Sequence, residues 1–148
     1  MSKPVSRPDV GSRSDYVVFR PIQTRWLDND AYGHMNNAIH YQLFDTAVNG
    51  HLIDNNLLDL KSGKTVFLVV DTGCRYYGEM AFPDVIHAGL RVAKLGGSSV
   101  RYEVGLFRND EDTASAEGHF VHVNVNRQSR RPEPIGETAR QALTALML

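Results

Sequence analysis

Residues 36–56, NNAIHYQLFDTAVNGHLIDNN, decide the architecture. The stretch has no proline, opens on two asparagines suited to cap a helix, and is long enough for about five turns. At about 100° per residue, Gln42, Asp45 and Asn49 fall on one narrow face. Ile39, Tyr41, Leu43, Phe44, Ala47, Val48, Leu52 and Ile53 cover most of the rest. A helix so apolar must be largely wrapped by other structure. His40 and His51 lie on this apolar side and read as core histidines. Gly50 costs such a helix about 1 kcal/mol relative to alanine, a loss that packing can offset.

Working outward, the chain alternates. Before the helix, YVVFRPIQTRW (residues 16–26) reads as a strand whose Pro21 belongs at an edge or bulge. After it, TVFLVVDTGCRYY (65–77) is a continuous apolar run suited to a strand buried on both faces. In DVIHAGLRVAKL, Ile86, Ala88, Leu90 and Val92 share one side. A Gly96-Gly97 turn leads into a second alternating run with Val100, Tyr102, Val104 and Leu106 on one side. HFVHVNVNR, after an acidic loop, sets Val121, Val123 and Val125 against Phe120, His122 and Asn124, and a tail ends in a short helix with Ala139, Leu143 and Leu146 in phase. One strand, one hydrophobic helix and four consecutive antiparallel strands bury both layers only if the sheet curls around the helix. That is an α+β hotdog fold, expected over residues 15–148 behind a mobile arm at 1–14 that is rich in Ser, Pro, Arg and Asp.

Composition narrows the function classes. The 148 residues carry 16 Lys and Arg against 17 Asp and Glu, for a net charge of -1, with no basic stripe for nucleic acid. The longest aliphatic or aromatic run, Val66 to Val70, is far below the roughly 20 residues of a membrane helix. The first 14 residues have no apolar core of a signal peptide, and the one cysteine, Cys74, cannot form an internal disulfide; both suggest a cytoplasmic protein. Cys74 reads as a buried small hydrophobe, and no His or Cys spacing matches a zinc site. DNDAYG has the opening of a calcium loop but places Tyr32 and Ile39 where oxygen ligands are needed.

The chemistry concentrates just before the helix, in TRWLDNDAYGHMNN (24–37). A helix N-terminus presents unpaired amides and roughly half a positive charge, suited to an oxygen becoming negative. Asp30 precedes it by a few residues, and Gly33 permits a tight turn between them. Asp28 reads as structural, accepting loop amides. The pattern W-x-D-x-D-x-x-G-H-x-N-N, carried by Trp26, Asp28, Asp30, Gly33, His34, Asn36 and Asn37 and followed by Tyr41, Phe44 and Asp45, resembles the acyl-CoA thioesterases of the 4-hydroxybenzoyl-CoA thioesterase-like hotdog superfamily. Looser similarity runs through CRYYGEMAFPD, KLGGSS and HVNVNRQSRRPEPI.

The resemblance implies Asp30 as nucleophile or general base, His34 beside the substrate, and the amides near Asn36 and Asn37 as the oxyanion site. It implies substrate contacts at Gly33 and Tyr41, no metal or organic cofactor, an acyl-CoA or acyl-carrier substrate, and a homodimer or homotetramer with its pocket between subunits. Many relatives carry a basic cluster before the fourth strand, where this chain has Gly96, Gly97, Ser98 and Ser99. Backbone amides at Gly97, Ser98 and Ser99, or the cations Arg127, Arg130 and Arg131, would then meet the phosphates. Glu79 reads as a loop charge or as a second carboxylate lent by a neighbouring subunit. Two other readings fit the fold: an enoyl-thioester hydratase or dehydratase relying on His34, and a non-catalytic thioester-binding or assembly module.

Overall fold

The computed structural model describes residues 9–148; most of the expected mobile arm lies outside them. The strands are β1 (Val18–Gln23), β2 (Thr65–Tyr76), β3 (Val85–Leu95), β4 (Ser99–Arg108) and β5 (Ala116–Asn126). Helix α1 spans Ile39–Asp54 and α2 spans Glu137–Thr144. The strands form one antiparallel sheet in the order β1-β3-β4-β5-β2, and α1 packs across it. This is the hotdog arrangement.

The core follows from the two periodicities meeting. Leu43, Phe44, Ala47, Val48 and Leu52 of α1 are buried against Ile86, Ala88, Leu90 and Val92 of β3 and against Val100, Tyr102, Val104 and Leu106 of β4. In β5 the inward set is Phe120, His122 and Asn124. Gly118 lets sheet and helix approach closely, because a Cβ there would overlap the Phe44 ring. Gly50 has a related reason: the Arg20 guanidinium lies over it on its way to Asp54, 2.5 Å away. Gln42, Asp45, Thr46 and Ile53 remain exposed, so the sheet covers one side of α1 and does not enclose it.

Four expectations need correction. β1 ends at Gln23, and Trp26–Asp28 form a 3₁₀ turn because the Asp28 carboxylate accepts the Arg25 amide at 2.7 Å. α1 starts at Ile39 with Ala38 as cap; Asn36 serves the end from upstream, accepting the Ala38 amide on Oδ1 at 2.9 Å. Residues 11–14 are docked, not free: the Gly11 amide reaches Glu117, Ser12 bridges to Thr113, and Arg13 bonds the carbonyls of Asn109 and Glu111 over the Phe107 ring. β2 is an edge strand, not a strand buried on both faces: Leu68, Val69 and Val70 are exposed, Val70 at 60%. Pro21 does lie on the opposite edge strand. Among the described residues no helix is long and apolar enough to cross a membrane.

Candidate active site

The loop from Thr24 to Ala38 is riveted to the connection between β2 and β3. The Thr24 amide and hydroxyl both donate to the Asp84 carbonyl, the Asn29 side chain accepts the Phe82 amide, and the Met35 amide donates to the Met80 carbonyl at 2.6 Å. Asp28, buried at the centre, binds the Arg25 amide and guanidinium, while its carbonyl accepts the Asn36 amide at 2.8 Å. Its carboxylate is thereby structural, as its place in the sequence suggested.

Asp30 occupies the next turn, half-buried. One carboxylate oxygen accepts the amides of Tyr32 at 2.8 Å and His34 at 3.3 Å, while the Asp30 amide donates to the His34 carbonyl at 2.7 Å and the Asp30 carbonyl accepts the amide of Gly33, which closes the turn at φ +82°. The second oxygen has no hydrogen-bond partner among the described residues. The carboxylate is therefore aimed by backbone and still able to accept a proton or meet a carbonyl carbon.

Hydrogen-bond accounting separates the two asparagines. The Asn36 amide is committed to Asp28 and its carboxamide to Ala38, and its carbonyl takes the Ile39 amide, so Asn36 shapes the helix end and offers no free backbone donor. This corrects the expectation that amides at both positions polarise a substrate. The Asn37 amide meets no acceptor among the described residues, and the residue is exposed. The Asn37 carbonyl is held by the Tyr76 hydroxyl at 2.7 Å. Desolvation pushes the Tyr76 phenol up to about 12, so it stays protonated and keeps donating.

Two further side chains complete this end. His34 Nε2 lies 3.0 Å from Glu79, both exposed, so the lone loop carboxylate serves its own chain's histidine. His40 is buried as expected of a core histidine, but Nδ1 has no partner, its ring meets Tyr76 edge-on at 4.7 Å, and burial lowers its pKa. Tyr41 is half-buried and packs edge-on against Phe44. Cys74 is half-buried against the core, and desolvation pushes its thiol up to about 11, which makes it a poor nucleophile. Tyr76 is the contributor that local sequence reading did not bring into the site, and Glu79, weighed there as a carboxylate lent to a neighbouring subunit, meets His34 of its own chain. Among the described residues no three His, Cys, Asp or Glu side chains gather as a metal site.

The remaining expected contacts lie elsewhere. Gly97, Ser98, Ser99, Arg127, Arg130 and Arg131 all cluster at the opposite end of the sheet, where β3 turns into β4 and β5 ends. β4 alone has ten residues, so the two ends are about 30 Å apart. The Gly96 and Gly97 carbonyls accept the Arg140 guanidinium at 2.9 and 3.0 Å, and Gly97 also accepts the Ile135 amide. Arg127 bonds the carbonyls of Leu60 at 3.1 Å and Gly63 at 3.4 Å, which ties the loop before β2 to the end of β5.

The family model of the thioesterase-like superfamily matches residues 24–143, a span that runs from the Thr24 anchor through α2. Among solved structures, the PA5185 protein from Pseudomonas aeruginosa strain PAO1 is 50% identical, with a TM-score of 0.91 over 94% of this chain and 97% of its own. The PA2801 protein of Pseudomonas aeruginosa, a candidate thioesterase, is 27% identical with a TM-score of 0.77, over 84% and 95% of the two chains. Slr0204 from Synechocystis, a 1,4-dihydroxy-2-naphthoyl-CoA thioesterase, has the same fold at 15% identity, with a TM-score of 0.77 over 85% and 94%. A search among curated proteins returns no match. Coverage from the loop before α1 to the last helix makes this chain a member of the thioesterase-like superfamily.

Proposed function

We propose that this protein hydrolyses acyl thioesters, with coenzyme A as carrier, in a site completed by a second copy of the chain. One observation carries the reading: Asp30 has one oxygen fixed by two amides and the other open, in the same turn sequence that leaves the Asn37 amide without an acceptor. Asp30 removes a proton from water as it attacks the thioester carbon, or attacks that carbon itself and forms an anhydride that water then cleaves. Either way the carbonyl oxygen gains charge facing the Asn37 amide and the positive end of α1, and the C–S bond breaks to release thiolate. Tyr76 fixes the Asn37 peptide that carries the amide.

The dimer is supported by what one chain leaves uncovered. β2 is a long edge strand with exposed Leu68, Val69 and Val70, the kind of edge that pairs with another strand. Trp26, Leu27 and Tyr32 around Asp30 are more than 70% exposed, an apolar rim suited to a partner. Antiparallel pairing of two β2 strands about a two-fold axis gives each Asp30 a neighbour from the other chain.

Free-thiol release, measured across short, long and aryl acyl-CoA esters, tests the reading. Asp30→Asn should lower the rate by about 10² or more with the melting temperature retained. Equal rates for wild type and variant would overturn it.

The His34–Glu79 pair favours a second reading, hydration of an enoyl thioester, since that chemistry uses a histidine positioned by a carboxylate. Loss of absorbance from crotonyl-CoA without thiol release, abolished by His34→Gln and not by Asp30→Asn, would select it.

A further inference from the structure

The loop that carries Asp30 runs from the end of β1 to the start of α1, and between those anchors it rests on residues 77–84, the connection from β2 to β3. Resting on the hydrolase reading, we infer that Asp84 is a positioning residue for the reaction: its buried carboxylate locks this connection in the shape that sets Asp30 against the Asn37 amide.

The connection has no helix or strand of its own, so side chains must give it its shape. Met80 is buried in the core, Glu79 and Phe82 are exposed, and Asp84, 8% exposed, is the connection's one buried acid. Both oxygens of that carboxylate are engaged. Oδ2 accepts the Ala81 amide at 3.0 Å and pairs with the Arg108 guanidinium, whose Nε is 2.9 Å away, and Oδ1 accepts Asn109 Nδ2 at 3.1 Å. The Asp84 amide returns to the Ala81 carbonyl at 2.8 Å, which closes residues 81–84 into a turn. Arg108 ends the inner strand β4 and Asn109 follows it, while Asn109 Oδ1 also accepts the Val85 amide at 3.0 Å. The turn is thereby fixed to two inner strands of the sheet.

From there the connection meets the loop at three points. The Asp84 carbonyl takes the Thr24 amide at 3.2 Å and the Thr24 hydroxyl, the Met80 carbonyl takes the Met35 amide, and the Phe82 amide goes to Asn29. Thr24 and Met35 are buried on either side of Asp30, and Asn29 adjoins it. Within its own turn Asp30 is aimed by the Tyr32 and His34 amides, but those bonds fix the carboxylate relative to the loop alone. Its separation from the Asn37 amide, with the substrate carbonyl between them, is set by what the loop rests on. A misplacement of ~1 Å at such a site can cost about 10² in rate. The place demands a carboxylate: every group that meets the two oxygens is an N–H, so a carboxamide must turn its NH2 toward another donor on one side or the other.

Asp84→Asn should lower kcat for acyl-CoA hydrolysis by about tenfold or more, with KM within about twofold of wild type. Amide hydrogen exchange should quicken by about tenfold or more at Met35 and Phe82 and stay unchanged at Val104 and Leu106 of β4. The swap Asp84→Asn/Asn109→Asp reverses donor and acceptor in the 3.1 Å bond and leaves an oxygen for Ala81 and Arg108, at a position whose φ of 49° aspartate tolerates. It should return kcat to within about threefold of wild type. Where Asp84→Asn does not fold, Thr24→Val keeps the side-chain shape, removes the hydroxyl that bonds Asp84, and should lower kcat by about threefold at constant KM. Unchanged kcat, a loss confined to KM, exchange that quickens equally in β4, or a swap that restores stability without kcat overturns the inference. No thiol release from any thioester by wild type, with the local exchange difference and its reversal by the swap present, sinks the hydrolase reading and leaves the hold of Asp84 on the loop standing.

Discussion

The two ends of the sheet use the same turn chemistry to opposite effect. At the α1 end, Asp28, Asp30 and Asn36 hold backbone amides, and what remains unpaired is one carboxylate oxygen and the Asn37 amide. At the other end, Asp59 and Asn126 hold amides in the same way, Asn126 accepting those of Gln128 and Ser129 at 2.9 Å, and what remains unpaired is cationic. Short polar side chains build both loops; the leftover groups differ in sign. Separation has a chemical use. A lysine or arginine within about 4–6 Å of Asp30 would hold its carboxylate ionised and weaken it as a base, and the cations of the far loops lie a sheet length away from it in the same chain.

That contrast is most directly broken by uncoupling the two chains of the proposed dimer. Val70→Lys puts a charge on the exposed β2 edge, where a single chain tolerates it and strand pairing does not. Sedimentation should show monomers, and thiol release should fall by about 10² or more, since each Asp30 loses the neighbour that positions its substrate. A dimer with wild-type activity would refute the shared site.

Between the ends, the sheet depends on a neutral histidine. His122 is 1% exposed, stacks on Phe67 at 5.3 Å and has an unpartnered Nδ1; burial pushes its pKa down to about 4. The unfolded chain takes up that proton near pH 6.5 and the folded chain does not, so the stabilisation is complete above about pH 6.5 and is lost as pH falls toward 4. The linkage amounts to about 3 kcal/mol over that window. His122→Phe should flatten the acid limb of a denaturation midpoint plotted against pH; an unchanged limb would assign the acid sensitivity to other groups, such as His40.

Much of this was legible in the chain. The alternation in β3 and β4 was readable because each strand has one face on α1, and the inward residues are the expected ones. The loop motif placed Asp30 and Gly33 correctly in a turn before α1. β2 was misread for a physical reason: Leu68, Val69 and Val70 show that a surface should leave water, without showing whether this chain or another covers it. The docking of residues 11–14 depends on Glu117, 106 positions from Gly11, and the Tyr76 bond to Asn37 spans 39, so no local pattern contains either. Asn36 and Asn37 are adjacent and chemically alike, and only the destination of each amide separates them.

Tyr76 is the next handle. Tyr76→Phe removes the hydroxyl that holds the Asn37 carbonyl and keeps the ring against His40. A bond to a group that only positions the oxyanion donor should be worth about tenfold in kcat with KM little changed, and at most about 1 kcal/mol in stability. A change confined to KM would mean that Tyr76 contacts substrate directly.

The smallest effect belongs to Glu79. Its carboxylate lies 3.0 Å from His34 Nε2, with both side chains exposed, so solvent screens the pair and its contribution to stability is at most about 1 kcal/mol. In the hydrolase reading His34 is a neighbour of the chemistry: its amide bonds Asp30 while its ring faces Glu79. Glu79→Gln should then lower thiol release only several-fold, because the backbone that aims Asp30 is untouched. In the hydratase reading the same carboxylate orients the reacting imidazole, and its loss should cost about 10². The size of that one effect, measured as kcat on an acyl-CoA ester and on crotonyl-CoA, therefore tells whether this end of the sheet works through its carboxylate or through its histidine.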